Sequence, residues 1–226
     1  MKIEFIRAKY NKKIVLPKKE IKELPKKIIL FTTTQFHDQF SSLKKQLEQA
    51  GKKVLSFKPK HATSEGQILG CGIEKWDLGE DAEEAVFLYI GDGLFHPQAM
   101  MINNPQEVYR YNPKNKKFEK LDRSHAEKLV NKQRGALIKF HSSEKIGVLV
   151  TTKYGQQRLQ MSLKLKEQFP NKEFFYFIGD NLDFQGLEDF NFIECWINTM
   201  CPRIGLDDTN KLRIPIVDIG ELGYEW

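Results

Sequence analysis

Lys26–Gln49, KKIILFTTTQFHDQFSSLKKQLEQ, and Lys145–Gln168, KIGVLVTTKYGQQRLQMSLKLKEQ, read as two copies of one pattern. In each, an apolar run leads into a threonine pair (Thr33-Thr34 and Thr151-Thr152), then Gln or Lys, an aromatic residue and a polar turn. A helical pattern follows, marked by Leu43, Leu47 and Ala50 in the first copy and by Leu159, Leu163 and Leu165 in the second. A short apolar run feeding an amphipathic helix is a β–α unit, and self-similarity across half a chain marks a duplication. Further strands are expected at Val54–Phe57 and Ala85–Ile90 in the first half, and at Phe174–Ile178 and Phe192–Ile197 in the second. Strands that alternate with helices and are apolar on both faces form parallel sheets with right-handed crossovers. The expected fold class is therefore α/β, as two tandem Rossmann-like domains with mainly parallel sheets. Residues 1–24 read as an amino-terminal remnant or linker, 25–120 as one α/β domain and 121–226 as the other. The division falls in Asn115–Asp122, and a helix is expected over Arg123–Phe140.

Composition narrows the function classes. Of the 226 residues 40% are hydrophobic and 29% charged, an ordinary globular balance. No apolar run approaches the roughly 20 residues that span a bilayer, and the charged start MKIEFIRAKYNKK has no signal-type apolar stretch. A cytoplasmic protein that does not engage membranes is expected. The net charge of +6 is concentrated in Lys12, Lys13, Lys18, Lys19, Lys22, Lys26 and Lys27. Such a run attracts acidic partners or RNA, but a solvated lysine-rich linker is the favoured reading. No helix-turn-helix, RNA-recognition or zinc-finger pattern accompanies it, so direct nucleic-acid binding is not expected. The three cysteines, Cys71, Cys195 and Cys201, are odd in number and argue against a disulfide framework.

In open parallel sheets, ligands gather where strand carboxyl ends meet helix amino termini. Four distinctive segments fall at such places: GQILGCG (Gly66–Gly72), IGDGLFHP (Ile90–Pro97), TTKYGQQR (Thr151–Arg158) and NTMCPRIGLDD (Asn198–Asp208). Gly91-Asp92-Gly93 lacks the third glycine of a dinucleotide fingerprint, and a tight turn accounts for its glycines. His96, before Pro97, either caps a helix or touches a ligand. Cys71 stands between two glycines, so its thiol lies on an open loop. Cys201 precedes Pro202 and Arg203, and a guanidinium nearby favours the thiolate that binds metals or attacks electrophiles. Cys195, within FIECWI, reads as an inert core residue.

Taken together and in order, these segments resemble the archaeal-type diphthamide synthase family, whose members make 2-(3-amino-3-carboxypropyl)histidine. The resemblance is carried by Gly66–Cys71, Tyr89–Pro97, Val150–Gln156 and Asn198–Asp208, and extends over nearly the whole chain. It implies a 4Fe–4S cluster held by three cysteines, one from each of three related α/β domains, with S-adenosylmethionine at the open iron. It implies transfer of the 3-amino-3-carboxypropyl group by a radical route to a histidine of translation elongation factor 2, the first step of diphthamide synthesis. On this resemblance Cys71 and Cys201 match the second and third cluster ligands. Arg203 is matched to the cofactor carboxylate, with Gln156, Asp207 and His96 as further cofactor contacts. The segment MKIEFIRAKYN resembles the last strand of the family's first domain, so the chain corresponds to the second and third domains. The expected partners are the elongation factor, an electron donor, and a second copy or separate subunit that supplies the missing domain. A non-catalytic accessory subunit and a fragment of a longer product are the alternatives.

Overall fold

Strand β1 (Lys27–Thr32) is apolar from Ile28 to Phe31, and none of these four side chains is more than 1% exposed. Full burial follows from its position in the computed structural model, which describes Ile6, residues 8–73 and residues 75–224. β1 is flanked on one edge by β2 (Lys53–Leu55) and on the other by β3 (Val86–Ile90), both parallel to it. β4 (Val108–Asn112) joins β3 in parallel, and β5 (Lys117–Lys120) turns back antiparallel to β4. The sheet order is β2-β1-β3-β4-β5. One face buries Ile28, Leu30, Val86, Leu88 and Ile90 against Leu43 and Leu47 of the helix Phe40–Gln49. Elsewhere Phe31 and Phe87 pack with Trp76, ring centres 5.2 and 5.4 Å away, and Phe57 closes the aromatic cluster.

In chain order the α-helices are α1 (Lys18–Glu23), α2 (Phe40–Gln49), α3 (Phe95–Met101), α4 (Ser124–Ser142), α5 (Leu159–Leu163), α6 (Leu165–Gln168) and α7 (Ile204–Asp207). The chain separates into two compact units, Met1–Ala126 and Glu127–Trp226, the division lying in the first turn of α4. The second unit is a parallel sheet of order β7-β6-β8-β9, from β6 (Lys145–Thr151), β7 (Glu173–Gly179), β8 (Cys195–Asn198) and β9 (Ile216–Asp218). Ile146, Val148, Val150, Cys195 and Ile197 pack with Phe140 of α4 and Leu165 of α6. Leu149, Trp196, Met200 and Ile216 form a separate cluster with Leu187. Gly147 is required under Trp196, since a Cβ there would lie 2.2 Å from the indole ring.

The duplicated α/β architecture is as expected, and three differences have physical causes. The two copies keep the register of the threonine pairs: Lys53 N donates to Lys26 O and Glu173 N to Glu144 O, each at 2.8 Å, so Lys27 corresponds to Lys145 and Thr33 to Thr151. The helix expected after Thr151-Thr152 is two short helices. Leu165 and Ser162 are fully buried, while Leu163 is exposed and Lys164 N donates to Met161 O at 3.2 Å. An inward period of three residues suits a tighter turn than the 3.6-residue helix and breaks the run. The segment 115–122 carries β5, which closes the first sheet. Finally, residues read as a linker are core: Ile14, Leu16, Ile21 and Leu24 are each under 5% exposed within the first unit. The strand resemblance of MKIEFIRAKYN lies largely outside the described residues.

Two glutamines of the α2 region hold this amino-terminal arm. Gln46 Oε1 accepts from Leu16 N at 2.9 Å, and its Nε2 donates to Ile14 O at 3.1 Å. Gln39 Oε1 accepts from Ile14 N at 2.8 Å, and its Nε2 donates to Lys12 O at 2.9 Å. The arm has no strand partner for these groups, so the amides replace one. Gln46→Ala therefore lowers stability in urea unfolding by about 1–3 kcal/mol, the cost of stranding the arm's backbone groups. Exposed Gln49→Ala changes it by less than about 0.5 kcal/mol.

Candidate functional site

Both sheets have a switch point. From β1 the chain crosses to β2 on one side and then to β3 on the other; from β6 it crosses to β7 and then to β8. The crevices beyond the carboxyl ends of β1/β3 and β6/β8 are where such folds bind ligands.

In the first unit, the crevice is edged by a long connection, residues 56–85, whose described residues include one short 3-10 turn, Glu80–Ala82. Connections of this length inside a compact unit are uncommon and usually functional. It is tied to the end of β1, where Thr32 N donates to Gly66 O at 2.8 Å and Ile68 N to Thr32 O at 2.9 Å. Gln67 fixes the approach: its Oε1 accepts from Thr63 N at 3.0 Å and its Nε2 donates to Thr34 Oγ1 at 2.8 Å. Cys71 follows in a tight turn and is exposed. Gly70 has Phe95 directly against it, since a Cβ there would lie 1.8 Å from the ring. The structure thus brings the Cys71 loop to the start of α3, where His96 also lies, stacked on buried Tyr89 at 6.1 Å. Gly91-Asp92-Gly93 is a structural turn: Gly93 has φ +68°, Arg110 Nη1 donates to Gly93 O at 2.9 Å, and Lys114 pairs with Asp92.

In the second unit, the loops after β6 and β8 are joined across the switch point by Arg158. Its Nη1 donates to Gln156 O at 3.1 Å, Thr199 O at 3.3 Å and Met200 O at 3.2 Å. Gln156 is half-buried on the first of these loops, and Cys201 is partly exposed on the second. Arg203 and Asp207, one helical turn apart, form a bidentate pair: Nε to Oδ2 at 2.9 Å and Nη2 to Oδ1 at 2.8 Å. The family resemblance matches each to a cofactor group; in the structure they orient one another. An apolar crevice of about 270 Å³ adjoins this loop, lined by Leu149, Val150, Phe177, Ile178, Phe190 and Met200 among others.

A family model described as "putative diphthamide synthesis protein" matches residues 3–225. The chain belongs to this family. Among similar members, the 2-(3-amino-3-carboxypropyl)histidine synthase of Pyrococcus horikoshii is 30% identical over 201 residues, 88% of this chain and 56% of that protein. The corresponding synthase of Methanocaldococcus jannaschii is 34% identical over 154 residues, 66% of this chain and 43% of that one. The chain therefore spans about half the length of these relatives. A crystal structure of Dph2 from P. horikoshii with a 4Fe-4S cluster superimposes with a TM-score of 0.71 at 29% identity, covering 90% of this chain and 58% of that one.

The residues present fit a cluster as a partial donor set. Each unit of this family member sets one solvent-reached thiol on a strand-end loop. Cys195 is fully buried in the β8 core and its thiol is pushed up to about 12, chiefly by burial, which suits an inert residue. Among the described residues, no three His, Cys, Asp or Glu side chains gather as a metal-binding group. Among them also, no helix is long and apolar enough to cross a membrane.

Sequence reading passed over the polar groups beneath the Cys201 loop. Asn198, within a quoted motif but given no role, donates through Nδ2 to Cys201 O at 2.9 Å and to Asp218 Oδ1. Asp218 and Glu221 each keep one buried carboxyl oxygen without a hydrogen-bond partner among the described residues. The short apolar run Ile214–Val217, ending at an acid, was the available signal. Burial holds the Asp218 carboxyl well above the usual range, opposed by the Asn198 hydrogen bond and reinforced by Glu221. Burial likewise pushes Glu221 up to about 7. An acid raised on folding keeps its proton in the native state after the unfolded chain has ionised, so stability is lost as pH rises from its ordinary value toward the native one. Unfolding free energy therefore falls between about pH 4.5 and 7. Glu221→Gln flattens that fall when it is followed by urea titration; an unchanged slope would remove Glu221 as its source.

Proposed function

We propose that this chain is part of a composite 2-(3-amino-3-carboxypropyl)histidine synthase, to which it contributes Cys71 and Cys201 as thiolate ligands of a 4Fe–4S cluster. A third ligand comes from outside these 226 residues. The observation that carries the reading is that each duplicated unit presents one accessible cysteine on a loop at its switch point, in a family whose P. horikoshii structure contains such a cluster.

When bound, the cluster would supply the electron that cleaves S-adenosylmethionine at the bond to its aminocarboxypropyl chain, for transfer to a histidine of translation elongation factor 2. The chain's own side chains position and shield. Arg203, only 7% exposed, supplies a fixed cationic edge for the cofactor carboxylate, and Asp207 holds the guanidinium plane. Gln156 and His96 offer hydrogen bonds to the amine or ribose. Phe95 packs on Gly70 and so helps to place the loop that carries Cys71. The protein substrate, an electron donor and a subunit or second copy completing the ligand set are the implied partners, and the reaction belongs to the cytoplasm.

The test is modification of elongation factor 2 by the complete system, with this chain native, Cys71→Ser or Cys201→Ser. Each substitution abolishes modification if the chain carries ligands. Modification that persists in both variants, and stops only when the whole chain is withheld, would instead make it an accessory subunit.

A further inference from the structure

The loop that carries Cys201 is wound around one amide. Asn198 Oδ1 accepts from Met200 N at 3.0 Å, while Nδ2 donates to Cys201 O at 2.9 Å and also to Asp218 Oδ1. Cys201 O accepts from Ile204 N at 3.0 Å as well, so this carbonyl is pinned from both the strand side and the α7 side. Asp218 stands directly opposite Asn198 in the β8–β9 register and is 2% exposed. Its Oδ2 has no hydrogen-bond partner among the described residues. A Cβ at Gly205, the second residue of α7, would lie 2.3 Å from that oxygen. The carboxyl is thus wedged between Asn198 and the α7 backbone.

Stability alone gives little reason for this arrangement. An acid buried with one oxygen unsatisfied is costly, and an apolar residue would pack the end of β9 more cheaply. Such exceptions call for a specific explanation. Here, one is available in the hydrogen bond that the Asp218 side chain accepts from Asn198, the amide that fixes the Cys201 carbonyl.

We infer that Asp218 is a positioning residue for the Cys201 loop: acting through Asn198, it sets the carbonyl of Cys201 and with it the direction of the thiol. That Cys201 is a cluster ligand rests on the function proposed above; the tether itself does not. Asparagine at 218 retains an oxygen able to accept the Asn198 N–H, whereas alanine retains none.

The experiment is site-resolved alkylation of the cluster-free chain with iodoacetamide, read by mass spectrometry at all three cysteines. Asp218→Ala and Asn198→Ala should raise the Cys201 rate about fivefold or more, the loss expected for one buried polar tether. Cys71 and buried Cys195 should stay at native rates, and Asp218→Asn should restore Cys201 to within about twofold of native. An unchanged Cys201 rate in both alanine variants overturns the inference, as does an Asp218→Asn protein that behaves like Asp218→Ala. Should Asp218→Ala expose Cys195 too, general loosening has occurred and Asn198→Ala alone decides, an unchanged Cys201 rate there being the contradiction. Iron retained per chain after reconstitution with the complete system is measured in parallel. A raised alkylation rate with iron retention unchanged would leave the tether standing and remove Cys201 from the ligand set.

Discussion

The central strands β1 and β6 are hydrogen-bonded to neighbours on both edges, and their apolar residues are almost wholly buried, so polar chemistry can appear only where they end. Everything functional in the molecule follows from that restriction. The last residues of β1, β6, β8 and β9 are Thr32, Thr151, Asn198 and Asp218, and all four are polar and at most 2% exposed. They form the change from apolar core to ligand loop, and each is tied to backbone or side chain rather than to solvent. Thr32 docks the Gly66–Ile68 segment through its backbone, and Thr151 Oγ1 accepts from Lys153 N at 3.2 Å. Asn198 and Asp218 do the same for Cys201.

The two units solve one problem in different ways. In the first, the loop is long and is held at a distance from its cysteine, by Gln67 and by Trp76 seated among Phe31, Phe57 and Phe87. In the second, the loop is short and is held at the cysteine itself by one amide and one carboxyl.

How much could be read from sequence depended on whether a feature was local. The β–α units were legible because apolar period and run length are properties of a few consecutive residues. The amino-terminal arm was not, since its lysines signalled a linker while its burial depends on Gln39 and Gln46 more than 20 residues away. The β4–β5 hairpin was hidden by mixed sequences, VYRYN and KFEK, typical of a sheet edge. Cys71 and Cys201 stand out in the sequence because glycine and proline punctuate their loops. Asp218 was missed because nothing about an acid at the end of a short apolar run says that it will be buried beneath a loop some 17 residues earlier in the chain.

The most direct measurement is anaerobic iron–sulfide reconstitution of this chain, alone and with the polypeptide that completes its ligand set, followed by electron paramagnetic resonance of the reduced sample with and without S-adenosylmethionine. The account predicts a 4Fe–4S signal that the cofactor perturbs, stable only in the completed assembly and lost in Cys71→Ser and Cys201→Ser. A completed assembly whose signal is the same in both serine variants would contradict it, and would leave the two strand-end thiols without the role assigned to them.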